Sequence, residues 1–203
     1  MKLNNKRTIL VGLAFLSICA FWQMYDSIVP LILTKTFHMN ETFSGAIMAA
    51  DNILALFLLP FFGSVSDKSH SKLGKRMPFI LFGTGCAIIL MNILPLLDNS
   101  YAAQPSGFKT ASFVIVLGLL LVAMGTYRAP AVALMPDVTP KPLRSRANAI
   151  INLMGAVGGI LYLGVAAVLY PNSKTAGLDH VNYQPLFIVV SAIMFVAVAV
   201  LFL

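Results

Sequence analysis

Gly63-Ser64-Val65-Ser66-Asp67-Lys68-Ser69-His70-Ser71-Lys72-Leu73-Gly74-Lys75-Arg76 is a polar, basic stretch set between two long apolar runs, Thr42–Val65 and Pro78–Leu97. About 20 helical residues are needed to cross about 30 Å of hydrocarbon. Both runs meet that length, so the stretch reads as a basic turn between two crossing helices. Outward from it, four more runs of the same kind follow: Thr8–Leu33, Ala111–Leu134, Ala147–Tyr170 and Pro185–Leu203. The breaks between runs hold Asp98-Asn99-Ser100, Gln104-Pro105-Ser106-Gly107, Pro140-Lys141-Pro142 and Pro171-Asn172-Ser173, which are turn compositions. The expected fold is all-α, a polytopic membrane protein of six transmembrane helices.

Composition agrees. Of 203 residues, 59% are apolar and 10% charged, and the mean hydropathy is +0.87. Soluble domains are about 45–50% apolar and about 25% charged. This excludes a typical soluble enzyme, a disulfide scaffold and a disordered tail. The net charge of +7 reflects basic cytoplasmic loops and not a nucleic-acid partner. Cys19 and Cys86 lie inside apolar runs and read as packing residues. His38, His70 and His180 stand far apart in polar connections, and no zinc spacing occurs, so no metal site is expected.

The first run follows Lys2, Lys6 and Arg7, as a signal peptide would. It is too long for a signal h-region and holds Asp26, and Leu16-Ser17-Ile18-Cys19 has Ile where a lipoprotein box needs a small residue. The N-terminus (Lys2, Lys6, Arg7), the second connection (Lys68, Lys72, Lys75, Arg76) and the fourth (Lys141, Arg144, Arg146) hold ten of the 14 basic residues. Lys35, Lys109 and Lys174 fall one each in the other connections, and Arg128 lies in a span. That bias places both termini in the cytoplasm. The last run stops at Leu203 without a basic anchor. A chain end inside hydrocarbon leaves carbonyls unsatisfied, so more chain is expected to follow.

Three ionisable groups lie within spans: Asp26, Asp51 and Arg128. Such groups cost about 2.5–3.5 kcal/mol each on insertion scales and mark function. At 1.5 Å per residue, Asp26 is about 10 Å and Asp51 about 13–14 Å below the outer surface, and Arg128 is about 12 Å from the inner one. Two carboxylates at similar depth oppose each other's ionisation, so one can load and release a proton near neutral pH. The competing reading is a helix-pairing ion pair with Arg128. Trp22 and Asp26 share a helix face, with Gln23 and Tyr25 beside it. Asn52 follows Asp51, Tyr127 precedes Arg128, and Asn148 and Asn152 stand at i, i+4 on the fifth span. Aromatic rings with amides and charges suit a polyhydroxylated ligand. Packing or interface anchoring is the ordinary role of such aromatics.

Tyr25-Asp26…Pro30 in the first span and Tyr127-Arg128…Pro130 in the fourth are faintly alike, as two inverted three-helix repeats would be. Gly155, Ala156, Gly159, Ile160 and Gly164 give the fifth span small-residue surfaces for close packing.

Gly63-x-x-x-Asp67-Lys68 followed by Gly74-Lys75-Arg76 resembles the loop between helices two and three of the major facilitator superfamily, with a spacing two residues longer than usual. That longer form, with Asp51-Asn52…Pro60-Phe61-Phe62-Gly63 and Arg128-Ala129-Pro130…Asp137…Arg144-x-Arg146-Ala147-Asn148, is similar to the sucrose-carrier-like (solute carrier 45 type) and glycoside–pentoside–hexuronide branch. The resemblance spans all six runs. It implies the N-terminal six-helix half of a twelve-helix carrier, residues 1–203, with the C-terminal bundle absent. It implies that Gly63, Asp67, Gly74, Lys75 and Arg76 form a gating loop that binds no substrate. Melibiose-type carriers bind sodium through carboxylates on the second helix, and Ala55 and Leu59 stand at those positions here, which favours protons. The fifth run lacks the Gly-Pro of drug–proton antiporters.

The implied function is proton-coupled uptake of a sugar or glycoside by alternating access, in a multi-pass protein of the cell membrane. It needs no cofactor beyond a coupling H+, and its partners are the sugar, the bilayer and a second half. Asp26 and Asp51 would bind proton or substrate hydroxyls, with Arg128 as their charge partner or a substrate ligand. Trp22, Gln23, Tyr25, Asn52, Tyr127 and Asn152 would line the cavity. The alternatives are a stand-alone half acting as a dimer and a non-transporting scaffold. No nucleophile–base or metal constellation points to an enzyme.

Overall fold

The computed structural model describes residues 4–175 and 177–203, so Lys2 lies outside the described residues. Of the described residues 86% are helical, and no strand occurs among them. Among the described residues six helices have the length and apolarity to cross a membrane. They are α1 (Asn5–Leu31, continued by a π-helical turn Ile32–Thr36), α2 (Glu41–Lys68), α3 (Met77–Ala103), α4 (Gly107–Val138), α5 (Arg144–Leu169) and α6 (Gln184–Phe202). A 3-10 turn, Lys141–Leu143, leads into α5, and a short helical turn, Asn172–Thr175, follows it.

All six expected spans exist, and most run past their apolar limits. Polar residues finish the last turns where water and headgroups replace hydrocarbon. The Asn4 and Asn40 side chains accept the N–H groups of Arg7 and Thr42 at the starts of α1 and α2. Pro78 and Pro185 open α3 and α6, where a missing N–H costs nothing. Lys109 donates to the Ser100 and Gln104 carbonyls at the end of α3. Arg144 does the same for Pro136 and Thr139 at the end of α4. One expected break is corrected: Asp98-Asn99-Ser100 is helical and Asp98 is fully buried. The turn waits for Gln104-Pro105-Ser106, because Lys109 supplies α3 with the cap that its own last turn lacks.

α1 packs on α5 and α6, α4 packs on α2 and α3, and α3 touches α6. Exchanging α1 with α4, α2 with α5 and α3 with α6 maps this set of neighbours onto itself. Three-helix units also run in opposite senses, so the bundle is two inverted repeats. The core holds Phe21, Met24, Tyr25, Ile80, Met91, Phe113, Tyr127 and Phe187. Phe37 joins it to Tyr101 and Phe113 through ring centroids 4.3 and 4.7 Å apart. Close backbone approach, not water exclusion, holds helices together in lipid. At Gly158 an added Cβ would overlap the Leu16 carbonyl, and at Gly83 it would lie 2.7 Å from the Tyr127 nitrogen. These two glycines let α5 meet α1 and α3 meet α4.

Candidate functional site

α1, α2 and α4 bring the first group of polar residues together. Trp22, Asp51 and Arg128 line one small gap with Leu54, Ala55, Leu58, Leu59, Leu121 and Gly125. Its volume is about 20 Å³, room for one water and too small for a sugar. The Arg128 guanidinium lies over the Trp22 ring, 5.4 Å from its centroid. Arg128 starts deeper in the bundle than the carboxylates, and its long side chain closes the difference by stacking on Trp22, a turn deeper than Asp26. Among the described residues it makes no ion pair within 4.0 Å. The helix-pairing salt bridge with Asp26 or Asp51 is therefore absent from this conformation of the described residues.

Trp22 also meets Tyr25 edge-on, with centroids 5.3 Å apart and planes at 78°. Tyr25 is fully buried. Asp51 Oδ1, Trp22 Nε1 and the Tyr25 hydroxyl are buried without a hydrogen-bond partner. One donor and one acceptor of the gap's own lining, Trp22 and Asp51, thus stand unsatisfied, with the Tyr25 hydroxyl on the neighbouring ring, a costly arrangement unless water, a proton or a ligand hydroxyl answers them. Asp26 is exposed beside this group, within electrostatic reach of Tyr25 and Asp51. Pro30 has no N–H to return to the Asp26 carbonyl, which frees a backbone acceptor at the same level.

The other expected cavity residues lie apart from the gap. Gln23 is half-buried beside Gly159 on the α1–α5 flank. Asn152 is exposed on α5, and Asn52 is exposed on α2, outside the gap that its neighbour Asp51 lines. Tyr127 is fully buried and stands behind the cluster. Its hydroxyl donates to the Ala14 carbonyl at 3.0 Å and lies 2.6 Å from Ser17 Oγ, tying α4 to α1. Ser17 carried no sequence signal beyond a hydroxyl in a span.

A second constellation sits at the other end of α2. Arg76 is buried and grips three partners: Asp67 Oδ1 at 2.5 Å, Asp137 Oδ2 at 2.9 Å and Ser66 Oγ at 2.7 Å. Ser66 passes its own hydrogen to the Gly63 carbonyl at 2.8 Å. Gly74 turns the loop at φ +91°, a left-handed value that favours glycine. Lys75, Gly74, Arg76, Asp67 and Asp137 border an open pocket of about 460 Å³. One guanidinium thus joins the ends of α2, α3 and α4. Asp137 was visible in the sequence only as part of the family pattern.

A family model described as Major Facilitator Superfamily matches residues 11–203. A sucrose transport protein of Arabidopsis thaliana is 35% identical over 158 residues, covering 72% of this chain and 26% of that protein. A sucrose transport protein of Oryza sativa subsp. indica is 36% identical over 154 residues, 69% of this chain and 30% of its own. The alpha-ketoglutarate permease of Escherichia coli (strain K12) is 25% identical over 179 residues, 87% of this chain and 38% of its own. The chain therefore spans well under half the length of each of these relatives.

Proposed function

The chain belongs to the major facilitator superfamily, and on that premise we propose that residues 1–203 are the N-terminal six-helix half of a secondary carrier. Its task is proton-coupled uptake of a sugar or glycoside across the cell membrane by alternating access, with both termini in the cytoplasm. The observation that carries this reading is the trio of unpartnered buried polar atoms, Asp51 Oδ1, Trp22 Nε1 and the Tyr25 hydroxyl, beside Arg128. Asp51 and Asp26 exchange the proton or take substrate hydroxyls. Arg128 moves between stacking on Trp22 and pairing with a carboxylate. Gln23, Asn52 and Asn152 serve the rim, and Tyr127 braces the wall behind. Ala55 and Leu59 line the gap without an oxygen to offer, which supports H+ over sodium. The sugar class rests on the names of the sucrose transport proteins above. Gly63, Asp67, Gly74, Lys75 and Arg76 hold the gate between the ends of α2, α3 and α4.

A six-helix bundle gives such a cavity one wall. The opposite wall then comes from a second bundle, supplied by the same polypeptide or by a second copy. A scaffold without transport is the remaining reading. Sugar-dependent proton movement into proteoliposomes of the complete carrier separates them. Asp51→Asn is expected to abolish proton-driven accumulation there. Undiminished accumulation removes Asp51 from coupling, and no sugar-dependent proton movement in the wild type leaves the scaffold.

A further inference from the structure

Asp98 is fully buried, and neither of its carboxylate oxygens has a hydrogen-bond partner. It stands near the end of α3 opposite to Arg76, away from the gap at Trp22, and the carrier reading gives it no task. His180, from the segment before α6, places Nδ1 3.9 Å from Asp98 Oδ2. The same Nδ1 lies 3.2 Å from the Thr36 hydroxyl, at the end of α1. Nε2 lies 2.9 Å from Asn99 Oδ1.

The surrounding bonds fix where the hydrogens are. The Gln184 backbone N–H donates to Asn182 Oδ1 at 3.0 Å, so that atom is the amide oxygen. Asn99 Nδ2 donates to the same oxygen at 2.9 Å, which turns Asn99 Oδ1 toward His180. Nε2 therefore carries a hydrogen. A neutral His180 then presents only a lone pair at Nδ1, toward the Thr36 hydroxyl at 3.2 Å, and an ionised Asp98, 3.9 Å away, offers only lone pairs as well. The single Thr36 hydrogen satisfies one of them. One further proton, on Nδ1 or on the carboxyl, removes the conflict.

We propose that Asp98 and His180 form a proton-binding pair that latches α1, α3 and the segment before α6 together, separate from Asp26 and Asp51. The nearby titratable groups do not replace that proton. Tyr183 and Tyr170, from the α6 and α5 sides, are phenols. Lys109, from α4, is engaged by the Ser100 and Gln104 carbonyls, and α1 contributes Thr36. Among the described residues, His180 is the one cation-forming group within 4.0 Å of Asp98. Loss of the proton leaves a buried carboxylate uncompensated, which is strongly unfavourable. The latched form then binds more protons than the opened form, so the latch weakens as pH rises.

Hydrogen–deuterium exchange on the full chain in lipid nanodiscs tests this, at about pH 6 and about pH 8.5, with intrinsic exchange rates corrected for. In the wild type, protection of residues 97–103 and 180–186 is expected to fall about tenfold at the higher pH. Protection of the α1–α5 seam is expected to stay constant. Asp98→Asn, whose amide can donate to Nδ1, is expected to abolish the fall. A wild-type profile indifferent to pH overturns the proposal, and so does the same fall in Asp98→Asn. Should that variant not fold, the wild-type profile decides alone. None of these readouts depends on transport, so failure here and failure of the carrier reading are distinguishable.

Discussion

The α1–α5 seam and the α4–α2 seam are equivalent under the exchange of repeats, yet they are built differently. Along α1–α5, Gly12 faces the Met154 side chain, Gly155 faces the Cys19 thiol, and at Gly158 the helices touch main chain to main chain, against Leu16. Along α4–α2, Gly125 faces only the side chains of Leu58 and Phe62, at 3.3 Å or more from an added Cβ. The first seam is rigid because backbone has nowhere to go. The second is soft because leucine rotamers yield. The polar gap at Trp22, Asp51 and Arg128 opens on the soft seam, where Gly125 is one of its walls. A repeat duplicated in architecture has kept one copy of its seam as a fixture and the other as a movable wall.

The sharpest way to break the comparison is Gly158→Ala. The new methyl meets backbone, so unfolding free energy is expected to fall by about 3 kcal/mol, measured by denaturant titration in mixed micelles. A loss below about 1 kcal/mol would show that α5 slides easily on α1 and that the seam is not rigid. Tyr127→Phe probes the clamp between α4 and α1. Ser17 keeps its bond to the Ala14 carbonyl at 2.9 Å, so no buried group is orphaned, and a loss of about 1 kcal/mol is expected. Gly125→Ala sharpens the contrast from the soft side. Its helix-propensity gain of about 1 kcal/mol offsets the squeeze on Leu58, so stability is expected to stay within about 0.5 kcal/mol. Narrowing the gap should still slow transport by the complete carrier at unchanged folding. A stability loss matching that of Gly158→Ala would make the two seams alike.

Hydropathy made the six spans legible, because the bilayer imposes one length and one polarity on every crossing. The intramembrane charges were equally plain, since Asp26, Asp51 and Arg128 stand out against apolar neighbours. What a single chain does not display is the rotation of each helix against its neighbours. That rotation sends Asp51 into the gap while Asn52 stays exposed, and it buries Tyr127 behind the wall. Asp98 was misread for a related reason. Asp-Asn-Ser has turn composition, and the groups that make it a buried helical site, Thr36, His180 and Lys109, come from three other parts of the chain. The Arg76 grip was half legible: Asp67 and Arg76 share a loop, whereas Asp137 arrives from α4.

Pro30 and the π-helical turn after it concentrate the elastic compliance of α1 in one place. The proline withholds one hydrogen bond, and the widened turn spaces the next ones less favourably. Below that joint, α1 is bolted to α5 by the glycine seam. Beyond it, the last turns form a short lever that ends at Thr36. A load applied at the far end bends the helix there first, beside Asp26, before it disturbs the bolted part.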